Sequence, residues 1–337
     1  MSGAPDLLAR HAEILRCPGC RGGIEVSAAS LACQECGHRF EIEGGVPRLF
    51  WPDGEIVGQQ ALTDTVKSFY EQTPFPDYND FDSVATLAER AREGIFPRML
   101  DEQLPPGTRI LECGCGTGQL SNFLSIASRT VFATDMCVNS LRLGEQFARD
   151  HDLRNIQFAQ MNLFRPAFEY ESFDLVICNG VLMTTVDPLA GFRSIARLVK
   201  PGGYVLIGLY HRYGRLVTDL RRLVFRFSGD RLQWLDPVLR DRNVSAARKR
   251  AWFADQYKHP HEMKHTIGQM LHWLDDTGFR FVKSIPRSRP FREISAADDL
   301  FRPEAPGNAF ERLIVELGMI VRGRRDNGFF TVIGQKT

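Results

Sequence analysis

The sequence predicts a doubly wound α/β fold preceded by a small cysteine-clamped module. Three observations carry this: two C-x-x-C clusters near the N-terminus, short apolar strands alternating with amphipathic helices from residue 109 onward, and a glycine-rich turn closing the first of those strands. The chain has 337 residues, 43% of them hydrophobic, which is enough for a sizeable core and about two domains. A net charge of +1, from 42 basic and 41 acidic residues, excludes a whole-protein field for polyanions, so any basic function is local. No apolar run is long enough to cross a bilayer, and Asp6, Arg10, His11 and Glu13 interrupt the first residues. The expectation is a cytoplasmic protein without a secretory leader or integral membrane association.

Cys17-Pro18-Gly19-Cys20 is separated by twelve residues from Cys33-Gln34-Glu35-Cys36. Two thiol pairs at this spacing, each on a tight turn, bring four soft ligands to one tetrahedral Zn²⁺, which a module of fifty residues needs for stability. A closed four-cysteine site has no open coordination position, so its role is structural. The following segment, Phe40-Glu41-Ile42-Glu43-Gly44-Gly45-Val46-Pro47-Arg48-Leu49-Phe50, resembles the closing strand and turn of the Trm112-like zinc ribbon over about residues 14 to 50. In that family the ribbon is a free activator subunit of methyltransferases or a fused N-terminal module. The expected division is a ribbon over 1–52, a helical connector over 53–100 and an α/β domain over 101–337. In the connector, Ala61 to Tyr70 has helical spacing, and Thr73-Pro74-Phe75-Pro76-Asp77-Tyr78 breaks it. Such an aromatic, proline-rich segment either packs on a core edge or caps a ligand.

Candidate strands are Arg109 to Cys113, Thr130 to Thr134, Ile156 to Met161, Phe173 to Asn179, Gly203 to Tyr210, Phe279 to Ile285 and Phe329 to Gly334. Between them Asp187 is placed to cap a helix with Pro188 in its first turn and Leu189, Phe192, Ile195, Ala196 and Val199 on one face. A helix is expected from Thr266 to Thr277. Continuous apolar strands alternating with helices predict a parallel sheet covered on both sides, the last two segments bring the strand count to seven, and a helical insertion is expected at about 211–265.

The first strand runs into Glu112-Cys113-Gly114-Cys115-Gly116-Thr117-Gly118-Gln119. Alternate glycines let the backbone turn sharply and approach a ligand. The dinucleotide pattern G-x-G-x-x-G is not met, because Gln119 stands where its third glycine belongs. Glu112 at the mouth of this loop repels a pyrophosphate and suits a ligand carrying an ammonium group. Asp135 closes the second strand, 21 residues after Gly114, where an acid accepts both ribose hydroxyls. Gln160-Met161-Asn162-Leu163 follows the third strand, and Asn179-Gly180 ends the fourth.

This set, from about 109 to 210, resembles the class I S-adenosylmethionine-dependent methyltransferases. The resemblance implies S-adenosylmethionine as cofactor, with Glu112, Gly114, Gly116 and Gly118 around its methionine part. It further implies Asp135 and Met136 at the ribose and adenine, Asn162 and Leu163 at the adenine edge, and Asn179 and Gly180 near the sulfonium. Departures narrow the chemistry: Asn179 is followed by Gly180-Val181-Leu182, so the Asn-Pro-Pro-aromatic loop used on exocyclic base amines is absent. No Pro-Cys pair follows the fourth strand. Met183-Thr184-Thr185 stands where many small-molecule members carry a polar pair such as His-His.

Residues 211 to 250 hold eleven basic side chains against four acidic ones, with Leu216, Val217, Leu220, Leu223, Val224 and Phe227 at helical spacing between them. Such a helix rests on an anionic membrane surface, grips a phosphorylated or RNA acceptor, covers the site as a lid, or simply packs on the sheet. Four of the eight histidines fall between His259 and His272. His261 and His265 share a face if their segment is helical, and a neutral imidazole there takes a proton from an acceptor hydroxyl or amine. With Glu262 they imitate a metal site that lacks a third ligand. The expected function is transfer of a methyl group to an O or N nucleophile of a small-molecule acceptor. The alternatives are RNA methylation and a catalytically silent cofactor-binding module.

Overall fold

The computed structural model describes residues 4–27, 30–52, 59–72, 78, 81–242, 244–292, 294–326 and 328–337. The described strands are β1 (Ile24–Val26), β2 (Ser30–Cys33), β3 (Arg39–Glu43), β4 (Val46–Leu49), β5 (Arg109–Cys113), β6 (Thr130–Asp135), β7 (Ile156–Met161), β8 (Phe173–Asn179), β9 (Val199–Tyr210), β10 (Phe279–Ile285) and β11 (Phe329–Lys336). They lie in the order β1-β2-β3-β4-β7-β6-β5-β8-β9-β11-β10. The seven segments expected from the sequence are β5 to β11. Strands β5 to β9 pair in parallel, and the order reverses between β5 and β8, which opens a crevice beyond their carboxyl ends.

The sheet is mixed: the strands of the alternating segment are parallel, while β11 is antiparallel to both β9 and β10. Continuous apolar character reports that both faces of a strand are covered, which holds for β11, but carries no information about its direction. The N-terminal module also joins the large sheet. Its last strand, β4, pairs in parallel with β7 through Arg48↔Gln160 and Leu49↔Met161. Leu15, Cys17, Ile24 and Phe40 share one continuous core with Phe132, Phe168 and Phe173. The Arg21 guanidinium pins this junction by donating to the carbonyls of Pro166 and Phe168, each at 2.7 Å.

The connector contributes helices Gln59–Gln72, Val84–Glu93 and Ile95–Gln103. Its segment Thr73–Asp77, the possible cap, lies outside the described residues. Helix Gln59–Gln72 is held over the crevice by Glu71, whose carboxylate accepts the free N–H groups of Val138 and Asn139 at 2.9 and 3.2 Å. A carboxylate at the start of helix Val138–Asp150 satisfies orphan donors and the positive end of the helix dipole together. Asp187 caps helix Pro188–Ala196 by accepting from Ala190 N–H at 2.9 Å. Thr266 and Gln269 form a reciprocal capping box on helix Ile267–Asp276. The insertion supplies helices Leu216–Ser228, Pro237–Arg240 and Ala246–Lys258.

Candidate cofactor and acceptor site

A cavity of about 400 Å³ opens at the carboxyl ends of β5, β6, β7 and β8. Glu112, Gly114, Gly116, Asp135, Met136, Asn162, Leu163, Asn179 and Gly180 all line it. Strand ends place these residues because each strand delivers its last side chain to the same edge.

The glycines are needed for more than one reason. Gly114 has φ +74°, and a Cβ there meets a Val181 methyl at 2.2 Å. Gly118 also has a left-handed backbone, with φ +74°, but it faces away from the cavity: a Cβ at this position meets the Phe158 ring at 2.4 Å. Its part is to let helix Gln119–Ser125 start close to the sheet. Asp135 accepts from Gly116 N–H at 2.9 Å and Cys137 N–H at 2.8 Å, so its carboxylate braces the glycine loop at the cavity edge. Asn162 lines the cavity with both ends of its amide occupied. Its Nδ2 donates to the Trp51 carbonyl at 3.0 Å and its Oδ1 accepts from Phe164 N–H at 3.0 Å.

Electrostatically the cavity is one-sided. Its described lining contains Glu112, Asp135, Asp255 and Glu262, and no Lys or Arg. Burial raises the Glu112 carboxyl to about 7, although the Ser121 hydroxyl donates to it. Burial likewise raises Asp135. Two buried carboxyl groups favour a cation beside them and penalise a diphosphate.

The opposite end of the cavity is built by residues that the sequence reading did not single out. Tyr70 reaches in from the connector helix, Tyr210 from the end of β9, Phe329 from the start of β11, and Asp255, Gln256 and His259 from the insertion. The Tyr70 hydroxyl donates to Asp255 Oδ1 at 3.0 Å, and burial keeps that hydroxyl well above its ordinary pKa. Gln256 Nε2 donates to Asp255 Oδ2 and to the Tyr210 hydroxyl, both at 2.8 Å. Behind them Arg215, fully buried, donates to Gln256 Oε1 at 2.6 Å and to Glu262 at 2.6 and 3.1 Å. Burial alone raises Glu262, but Arg215 and Arg222 together hold it below the usual carboxylate range. Thr184 and Thr185 also line the cavity, their hydroxyls donating to the carbonyls of Val181 and Leu182.

The structure does not bring His261 or His265 to the cavity. Their expected common face required a helix, but helix Ala246–Lys258 ends before His259, which precedes Pro260, and residues 259–266 form no helix. His265 instead runs beside the end of β9, its ring buried against Trp273, and burial followed by the nearby Arg212 lowers it to about 4. The imidazole that lines the cavity is His259. Burial lowers its pKa, and its Nδ1 accepts from His261 N–H at 3.2 Å, which leaves the proton on Nε2. Pro260 was the available signal, since it fixes the helix end that delivers Asp255 to His259.

Away from the cavity, the sulfurs of Cys17, Cys20, Cys33 and Cys36 all lie within 4.8 Å of one another, and none is in a disulfide. Cys17 and Cys36 are 3.9 Å apart, and Cys20 and Cys33 3.4 Å. An ion bonded tetrahedrally to four thiolates sets sulfurs about 3.8 Å apart, so this donor set fits zinc.

The family model described as a methyltransferase domain matches residues 111–207, the segment that carries β5 to β9 and most of the cofactor end. Residues 111–207 are therefore similar to a methyltransferase domain. A ubiquinone biosynthesis O-methyltransferase of Paracidovorax citrulli is 34% identical over 107 residues, 32% of this chain and 45% of that protein. A demethylmenaquinone methyltransferase of a Geobacillus species is 28% identical over 199 residues, 54% of this chain and 83% of that protein. Among solved structures, the Haloferax volcanii complex containing the Trm112 methyltransferase activator matches 75% of this chain and 92% of its own, with 15% identity and a TM-score of 0.46. The chain spans about half the length of several curated relatives, 52% of one and 45% of another. The segment similar to a methyltransferase domain thus lines one end of the cavity, and the flanking connector and insertion complete its other end.

Proposed function

We propose that this chain transfers the methyl group of S-adenosylmethionine to a hydroxyl oxygen of a small aromatic acceptor. The observation that carries this reading is the cavity whose lining, among the described residues, is acidic and without Arg or Lys at one end and forms an aromatic box around Asp255 at the other. The sulfonium donor supplies an electrophilic methyl carbon. Bound there, the donor would place its ammonium against Glu112 and its ribose against Asp135, with Asn179 and Gly180 beside the sulfonium. Tyr70, Tyr210, Phe329 and His259 enclose a flat acceptor and exclude water from its hydroxyl.

The reaction is an in-line displacement. The acceptor oxygen forms a bond to the methyl carbon as the carbon–sulfur bond breaks, the sulfonium leaves as a neutral thioether, and the hydroxyl proton passes to the Asp255 carboxylate. Tyr70 and Gln256 hold that carboxylate in place, and His259 donates through Nε2 to a second oxygen of the acceptor. The four-cysteine module, with zinc held by Cys17, Cys20, Cys33 and Cys36, supports the β7 edge of the sheet.

The test is incubation of the purified chain with methyl-labelled S-adenosylmethionine and separate panels of phenols, amines and RNA. Label on a phenolic oxygen supports the reading. Label on RNA alone, or cofactor binding without a labelled product in any panel, contradicts it.

A further inference from the structure

Helix Leu216–Ser228 is amphipathic as its sequence promised, but it is mounted inside out. Its basic side faces the protein: Arg222 donates to the Gln256 carbonyl and to Glu262, and Arg221 lies 3.9 Å from Asp236. The arginine just before it, Arg215, is 0% exposed. Its apolar side faces outward, with Leu216, Leu220, Leu223 and Phe227 exposed, Leu220 by 62% and Phe227 by 83%. These positions recur at three- and four-residue intervals, which makes one continuous stripe.

Helix Ala309–Asp326 packs beside it and widens the stripe. Met319 and Glu316 face the interior, while Phe310, Leu313, Ile314, Leu317 and Val321 are exposed, Phe310 by 70% and Val321 by 71%. Nine large apolar side chains on two adjacent helices exceed the scattered exposure ordinary for a soluble surface. Among the described side chains of the two helices, Arg226 is the one fully exposed charge, and Arg212 and Arg231 are exposed at either end of the first helix. The partly exposed acids beside the stripe, Asp219, Asp230 and Glu311, are paired with Lys264, Lys258 and Arg289.

We propose that this two-helix face docks on an anionic lipid bilayer, with the leucine and phenylalanine side chains in the interfacial layer and the arginines against the headgroups. Charge decides between the possible occupants. A second copy related by a two-fold axis sets one apolar, arginine-flanked face against its equivalent, where the acids are already paired, whereas an anionic surface complements the three exposed arginines. Among the described residues no helix is long and apolar enough to cross a membrane, so the contact is interfacial. The consequence for chemistry is position: the same helix whose outer side meets lipid holds the acceptor end of the cavity through Arg222 and Glu262.

The experiment is sedimentation of the full chain with vesicles of phosphatidylcholine, with and without about one third phosphatidylglycerol. The paired variant Leu220→Ser with Phe227→Ser is compared at matched concentration. Both side chains are exposed, so the unfolding midpoint and S-adenosylhomocysteine affinity are expected to stay unchanged and serve as folding controls. The expected result is binding to the anionic vesicles, weakened by added salt and at least about tenfold weaker in the variant. No binding to anionic vesicles, equal binding to neutral ones, or equal binding by the variant overturns the proposal. So does a stable dimer that the variant converts to a monomer, which assigns the face to a second copy. None of these outcomes depends on turnover, so they leave the proposed reaction standing or falling by its own test.

Discussion

The two ends of the cavity are made in different ways. The cofactor end is assembled from the tips of parallel strands, each carrying its own residue: Glu112 on β5, Asp135 on β6, Asn162 just after β7 and Asn179 on β8. The acceptor end is assembled from three distant segments, and its polar groups are fixed by one another, Tyr70 on Asp255, Gln256 on Tyr210, and Arg215 on Gln256 and Glu262. A strand-tip site tolerates loss of one member because the sheet still places the rest. A site held by mutual hydrogen bonds and buried ion pairs loses its geometry with one member.

The variant that separates the two ends most widely is Asp255→Asn. Removing the proposed proton acceptor lowers kcat by about 10² to 10⁴, while calorimetric affinity for S-adenosylhomocysteine stays near that of the parent chain. A comparable loss of cofactor affinity means that the two ends are not separable. Next, Arg215→Ala leaves Glu262 buried with Arg222 as its remaining partner, and urea denaturation is expected to show a loss of about 3 kcal/mol. Its kcat falls with it, since Gln256 and through it Asp255 lose their support. Chelation of zinc, or Cys17→Ser, is expected to lower the unfolding midpoint by several degrees with a smaller effect on cofactor affinity, because none of the four cysteines lines the cavity. The smallest effect is expected for Asn162→Ala. Both ends of its amide serve Trp51 and Phe164, so stability falls by roughly 1 kcal/mol and cofactor affinity changes little.

This difference also explains what the sequence disclosed. Strand-tip residues are legible because an apolar run locates the strand and the next residues follow by register, as Glu112 after Leu111 and Asp135 after Thr134 show. The tetrahedral thiol set was legible from spacing, because both C-x-x-C turns are local. The acceptor end was not: nothing near Tyr70 in the chain signals Asp255, which is 185 residues away. Helical periodicity in Leu216–Ser228 was read correctly as amphipathic, but periodicity does not say which face is turned inward, and buried acids at Asp236 and Glu262 drew the arginines in. His261 and His265 do not share a face because residues 259–266 are not helical, which their spacing alone could not show.

The central claim is that the buried carboxyl of Glu112 receives a cationic ligand. Its raised pKa sets a sign: above about pH 7 the group is ionised and ready for an ammonium, and below it a proton must be released on binding. Without ligand the same shift works against the fold, because stability gained by the neutral carboxyl below the unfolded value of 4.5 is lost as the pH rises through about 7. Glu112→Gln therefore stabilises the free chain at alkaline pH and binds the cofactor more weakly. The decisive measurement is calorimetric titration with S-adenosylhomocysteine across this range. The account predicts one site whose affinity falls as pH drops below about 7, with proton release that disappears in Glu112→Gln. Affinity independent of pH in the parent chain, or preferential uptake of a nicotinamide dinucleotide, contradicts it.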